Sequence, residues 1–243
     1  MKTIILNGAA GRLGKEIATL TLEEGEFSLV TVDAYGEAEY TRLADVSAKE
    51  GILIDCSHHS AAPDVCAFAK ERNIPSVIAT TGHSTAEIAL INETAKNIPL
   101  FVSGNTSLGV ALLVELAQRT AEVMTGADIE IIEIHHNNKL DAPSGTALML
   151  YDAVRKARPE LEAVHGRSGQ SKRESNEVGI HALRMGGVIG DHQVLVSTPS
   201  QTITLRHQAH SRRLFAEGAI LAAKFIAGQT PGVYDMGRLL GDR

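Results

Sequence analysis

The amino-acid sequence predicts an α/β protein in two parts: a doubly wound parallel sheet, then a smaller α+β domain with a mixed sheet. Three observations carry this. Short apolar runs alternate with helical segments through the first hundred residues, the βαβα order of a parallel sheet. A glycine-rich turn, Gly8-Ala9-Ala10-Gly11-Arg12-Leu13-Gly14, separates the first run from the first helix. After Asn105 the rhythm changes to a long helix followed by extended runs divided by turn residues.

In order, the first part predicts strands over 3–7, 29–33, 52–56, 76–80 and 100–103, with helices over 12–24, 63–72 and 85–97. The second predicts a helix over 109–124, a strand over 129–136 and a helix that starts at Ser144-Gly145-Thr146. A polar stretch, 167–176, has Gly, Ser and both charge signs but no apolar period, which predicts a mobile loop able to close over substrate. Three further strands are expected over 178–185, 192–197 and 202–208, then a last, amphipathic helix over 212–227.

Composition narrows the classes. At 243 residues with 44% hydrophobic and 4% aromatic content and no Trp, the chain can bury a core, and that core must be aliphatic. A net charge of −6 argues against a nucleic-acid partner but permits a local basic site for an acidic ligand. Cys56 and Cys66 have no metal-type spacing and read as reduced thiols. The sequence runs straight into its first strand without a basic-then-apolar leader, and no apolar run reaches membrane-spanning length. The expectation is a soluble cytoplasmic protein with no membrane partner.

The glycine-rich turn has the spacing of a dinucleotide fingerprint variant. Gly8 permits the tight turn, Gly11 lets the backbone approach a pyrophosphate, and Gly14 permits close helix–strand packing. The helix it opens offers unpaired N–H groups and a partial positive charge. Asp33 stands at the end of the second strand, roughly 20 residues on, where a carboxylate bonds ribose hydroxyls and repels a 2′-phosphate. Arg12 and Lys15 are cations within reach of such a phosphate. Strand, turn, helix and acid in register make this a Rossmann-like nucleotide site, not an ordinary βα turn. Ala79-Thr80-Thr81-Gly82 and Ser103-Gly104-Asn105-Thr106-Ser107 end later strands at the same sheet edge and favour a nicotinamide channel.

Chemistry concentrates at His135-His136-Asn137-Asn138-Lys139, just past the strand over 129–136. Two imidazoles and an ammonium beside a helix start suit an enzyme that protonates and holds an anionic substrate. A neighbouring ammonium lowers histidine pKa values and favours neutral rings. Asp141 reads as a turn residue in preference to a partner of Lys139. His181, His192, His207 and His210 match no zinc spacing, so no metal is expected. Arg184 and Arg212 read as surface or structural residues.

These residues resemble one family, the dihydrodipicolinate (4-hydroxy-tetrahydrodipicolinate) reductases of diaminopimelate and lysine biosynthesis. The segment Glu133-Ile134-His135-His136-Asn137-Asn138-Lys139-Leu140-Asp141-Ala142-Pro143-Ser144-Gly145-Thr146-Ala147 is similar to its E-x-H-H-x-x-K-x-D-A-P-S-G-T-A signature. Gly179-Ile180-His181-Ala182-Leu183-Arg184 and His207-Gln208-Ala209-His210-Ser211-Arg212 add to the match. The resemblance implies hydride transfer from NADH or NADPH to a cyclic dicarboxylate imine with loss of water. It implies His135 as proton donor and acceptor, Lys139 as proton donor, and His136, Gly145 and Thr146 as substrate-binding. Gly8, Ala9, Ala10, Gly11, Arg12, Leu13, Ala79, Thr80, Thr81, Ser103, Gly104, Asn105 and Thr106 would line the cofactor, with Asp33 at the ribose. It implies a discontinuous nucleotide domain over 1–106 and 212–243, a substrate and oligomerisation domain over 107–211, and a homotetramer built through the second-domain sheets. Ala34 stands where some members carry an Arg after the acidic residue, so NADH is expected to serve at least as well as NADPH. His83 replaces an aromatic residue often found after Thr-Thr-Gly, and His58 and His59 occupy a turn that is often Pro-containing. The alternatives are another two-domain dehydrogenase, which would use a Cys nucleophile or a different Lys/His pattern, and a non-enzymatic dinucleotide sensor, which need not retain His135 and Lys139.

Overall fold

The computed structural model describes residues 2–241; Met1, Asp242 and Arg243, which the expected domain ranges include, lie outside the described residues. The chain forms two compact units, one of residues 1–108 and 212–243, the other of residues 109–211.

The first unit opens with β1 (Lys2–Asn7), α1 (Arg12–Glu24) and β2 (Phe27–Val32). It continues through β3 (Ile52–Asp55), α2 (Ala62–Arg72), β4 (Ser76–Ile78), α3 (Thr85–Ala95) and β5 (Pro99–Val102). The helices start and stop for local reasons. Gly25 ends α1 in the left-handed conformation, Asn73 does the same for α2, and a Ser84–Glu87 capping box opens α3.

In the second unit, α4 (Leu108–Val123) leads to β6 (Asp128–His135) and α5 (Gly145–Ala157). Then follow β7 (Glu162–His165), β8 (Glu177–Arg184), β9 (Gly190–Thr198) and β10 (Gln201–Ala209). The chain returns to the first unit with α6 (Arg213–Ile226), β11 (Gly232–Tyr234) and α7 (Met236–Gly241).

The first sheet is wholly parallel, in the order β11-β5-β4-β3-β1-β2. Its strand order reverses between β1 and β3, and the loops after those two strands flank a crevice at the carboxyl edge. One face carries Ile5, Leu53, Ile78 and Leu100 against Val65, Phe68 and Ala69 of α2 and Ile91 and Ala95 of α3. The other packs on α1 and α6, where Phe225 meets Phe101 edge-on.

The second sheet is mixed, in the order β10-β9-β6-β8-β7. β9 pairs antiparallel with β6 and β10, while β8 pairs parallel with β6 and β7. Ile129, Ile131, Val178, Ile180, Val194 and Val196 pack beneath Leu113 and Ala117 of α4 and Leu150 and Val154 of α5.

Two elements differ from expectation, and the polar loop carries a tether. β7 is an added strand, four residues long, paired only to β8. The helix expected to be last is followed by β11 and α7. The 167–176 loop is anchored: Arg173 pairs with Asp128 and Glu130 and donates to the carbonyls of Ile129, Glu174 and Glu177.

Candidate active site

In the first unit Gly8, Gly11, Arg12, Leu13, Asp33, Ala79 and Ser103 to Thr106 line two clefts at the carboxyl edge of the sheet, and Ala9, Ala10, Thr80 and Thr81 line neither. Gly8 has φ +85°, and a Cβ there would press on the Ser57 backbone at 2.7 Å. Gly14 lies against Ala9, whose Cα a Cβ would meet at 2.8 Å. Only glycine fits these two positions. The N-terminus of α1 has no side-chain cap and no acidic residue in its first turn, whereas side chains cap α3 and α5. Its N–H groups are therefore left for an anion.

A cleft of about 1100 Å³ is lined by Gly8, Gly11, Asp33, Ala34, Tyr35 and His58 among others. A second, of about 400 Å³, is lined by Gly11, Arg12, Leu13, Ala79, Ser103, Gly104, Asn105, Thr106, Arg212 and Phe215. Gly11, Cys56 and Ser57 line both. Two lobes meeting at a glycine-rich helix start fit the two halves of a dinucleotide joined by a pyrophosphate.

Asp33 is buried, and its carboxylate accepts from the N–H groups of Ala10 (2.9 Å), Tyr35 (3.0 Å) and Gly36 (2.9 Å). Burial pushes its pKa up, but the three backbone donors outweigh it and hold the group below its ordinary value. Ala9 is buried, and Thr81 is exposed with its methyl group beside Gly104. Thr80 turns inward: its hydroxyl donates to Asp55 (3.5 Å) and lies 2.9 Å from His83 Nε2. Cys56 is no nucleophile, because burial, reinforced by Asp55, pushes its thiol up to about 12.

In the second unit the candidate residues share one sheet face. Ile129, Ile131, Glu133 and His135 alternate onto the inner side of β6; the first two meet the helices, and the last two form a charged end. Glu133 is 0% exposed. One oxygen accepts from His135 Nδ1 (2.5 Å) and Arg184 Nη1 (2.9 Å), the other from Ser144 N (3.1 Å) and Arg184 Nη2 (2.9 Å). Burial raises its pKa, but Arg184 and then His135 reverse the sign and keep it below the ordinary value. His135 lies below its ordinary value mainly through burial; Glu133 opposes this, and Lys139 and Arg184 add smaller lowering effects. The ammonium effect expected from sequence is present but secondary.

Ser144 caps α5, accepting from Ala147 N at 3.2 Å, and its hydroxyl pairs with His192 Nε2 at 3.0 Å. The His192 ring stands edge-on to His135, 5.1 Å between centroids, and burial lowers its pKa to about 4. His136 is half-buried, and Gly145 and Thr146 form the first turn of α5.

One expectation from sequence is corrected and another is narrowed. Lys139 Nζ pairs with Asp141 at 2.9 Å, so Asp141 is a partner as well as a turn residue: the turn folds the two side chains to the same side. Arg184 takes the structural side of its reading, because β8 lies beside β6 in parallel register and pairs Arg184 with His135. Glu133, present in the signature, and His192, weighed only as a metal ligand, carry no site role in the sequence reading, although the alternation along β6 places Glu133 on the face of Ile131 and His135. Arg212 and Phe215 also went unassigned, and both line the smaller cleft.

Comparison with known proteins follows these divisions. Residues 2–106 match the family model described as dihydrodipicolinate reductase, N-terminus, and residues 109–240 match that of its C-terminus. The chain is 44% identical to the 4-hydroxy-tetrahydrodipicolinate reductase of Caldanaerobacter subterraneus subsp. tengcongensis, covering 97% of each chain. It is 38% identical to that of Clostridium tetani, over 99% of this chain and 97% of the relative. A dipicolinate-bound dihydrodipicolinate reductase from Paenisporosarcina sp. TG-14 shares the fold, with TM-score 0.83 at 23% identity and 97% coverage of both chains.

Proposed function

This chain belongs to the dihydrodipicolinate reductase family, and from that premise we propose how its residues divide the reaction. The reaction is that of a 4-hydroxy-tetrahydrodipicolinate reductase of diaminopimelate and lysine biosynthesis. Hydride passes from NAD(P)H to a cyclic dicarboxylate imine, and water is lost. When bound, the nicotinamide supplies the hydride; the protein supplies binding, orientation and protons.

The unit of residues 1–108 and 212–243 binds the dinucleotide. Gly8 to Leu13 hold the pyrophosphate on the uncapped start of α1. Asp33 faces the ribose, and Ala79 to Thr81 and Ser103 to Thr106 border the nicotinamide. With a carboxylate at Asp33 and no cation at Ala34, NADH serves at least as well as NADPH. The unit of residues 109–211 binds the small dicarboxylate. His136, Gly145 and Thr146 hold its carboxylates, the last two from a helix N-terminus. His135 exchanges a proton with the substrate, and Lys139 donates one and offsets negative charge as hydride arrives.

The observation that carries this reading is the divided face of β6, apolar beneath the helices and charged where His135, Glu133 and Arg184 meet. Turnover coupled to aspartate semialdehyde–pyruvate condensation tests it. Lys139→Ala is expected to bind NADH normally and lose kcat by about 10²- to 10⁴-fold; unchanged turnover removes the assignment.

The working form is a cytoplasmic homotetramer assembled through the second sheet. In support, the face of that sheet opposite α4 and α5 presents Ile132, Ile134, Leu195 and Leu183, the last 41% exposed. Sedimentation of Leu183→Glu checks the assembly, with dissociation to a smaller species expected. Cell fractionation checks the compartment.

A further inference from the structure

Glu133 has no part in the division of labour above, yet it is the most completely hydrogen-bonded side chain at the charged end of β6. Each of its oxygens accepts two N–H groups, and Arg184 spans both oxygens. We propose that Glu133 is a positioning residue: it holds the His135 ring with a proton on Nδ1, so that Nε2 is the atom that trades protons with substrate, and Arg184 fixes Glu133 in that orientation. This deepens the reading of His135 as the proton donor and rests on it.

A carboxylate gripped by a guanidinium only accepts hydrogen bonds, so the ring nitrogen 2.5 Å from it must carry hydrogen. The neutral ring then has its lone pair on Nε2, and the imidazolium has its transferable proton there. Gly190 stands beside Nε2, where a Cβ would come within 3.3 Å of it, so the absence of a side chain there keeps that nitrogen from being crowded. The remaining charged and titratable groups around the ring do not compete for Nδ1. Lys139, on the turn after β6, is paired to Asp141. His192, on β9, has its Nε2 on Ser144 and stands edge-on to the His135 ring. Arg184, on β8, also bonds the carbonyls of Lys139 and Asp141, so the same guanidinium that fixes Glu133 fixes the turn bearing Lys139.

The test combines Glu133→Gln with ¹⁵N NMR of histidine. Gln keeps the volume but removes the obligatory acceptor. The variant is expected to lose at least about 100-fold in kcat, with KM for NADH within twofold of wild type. Removing the anion also weakens the imidazolium, so the alkaline fall in kcat should move to lower pH. Glu133→Asp, which retains a carboxylate, should recover part of both. Independently of activity and of any variant's folding, wild-type His135, assigned against His135→Asn, should show the Nδ1–H tautomer. A Nε2–H tautomer overturns the proposal, as does a Glu133→Gln enzyme with wild-type kcat and pH limb beside an inactive His135→Ala. Full turnover by His135→Ala overturns the role of His135 itself, and the positioning role falls with it.

Discussion

Asp33 and Glu133 are carboxylates withdrawn from water, one in each unit, and both stay ionised, but by different means. Asp33 is held by three backbone N–H groups and no cation. Glu133 is held by a guanidinium, an imidazole and one backbone N–H. A carboxylate stabilised by dipoles keeps its net charge and projects it into the cleft it lines, which suits the ribose-facing role proposed for it. A carboxylate stabilised by a guanidinium is electrically compensated, and what remains is directional: it orients its neighbours. Asp55 marks the limit of the first strategy. With Ser57 and Asn7 as its donors, burial wins and its pKa rises.

The sharpest way to break this comparison is to remove the cation. Arg184→Met should cost about 3–5 kcal/mol, because Glu133 is left as a buried charge without its partner; urea unfolding measures it, and a loss under 1 kcal/mol would mean that dipoles suffice there too. His192 gives the next largest effect. Its folded pKa, about 4, lies below the unfolded value of 6.5, so the unfolded chain binds the extra proton between them. Stability should therefore fall as pH drops from 6.5 towards 4, on the order of 3 kcal/mol. His192→Gln should flatten that slope. Asp33 and Glu133 have depressed pKa values, so their contributions are present above the unfolded carboxylate range and are lost only at more acidic pH.

Asp33→Asn should cost about 1–3 kcal/mol, since an amide cannot serve all three donors. It should also improve use of NADPH relative to NADH by roughly tenfold in kcat/KM; an unchanged ratio would deny Asp33 its electrostatic role. Smallest of all, Asp141→Asn removes an exposed partner of Lys139 and should change stability by less than about 1 kcal/mol.

Much of this is legible in the sequence. The span of α1 follows from glycines before it and Glu-Glu-Gly at its end, signals that are local in the chain. His135 and Lys139 stand out by their residue types beside a helix start, and the family signature adds their roles. β7 and β11 escaped because they are three or four residues long and owe their existence to a neighbouring strand, not to their own pattern. Glu133 stands in the family signature but carries no assigned role there. Its parity with Ile129 and Ile131 pointed inward, but its partner Arg184 is 51 residues away, and only the parallel pairing of β6 with β8 brings it near.

The first unit is also interrupted. Thr106 donates to the carbonyl of Phe215, α6 packs on α1, and β11 completes the sheet beside β5, all after roughly a hundred intervening residues. A ribosome therefore releases five strands of the nucleotide unit long before the helix that covers one side of them. Until α6 emerges, Ile54, Val77 and Phe101 lack part of their shelter, and the half-made sheet has a bare β5 edge. The nascent chain would be most vulnerable to chaperone capture or self-association in that interval, and ribosome-stalled chains ending before and after α6 should differ sharply in protease resistance.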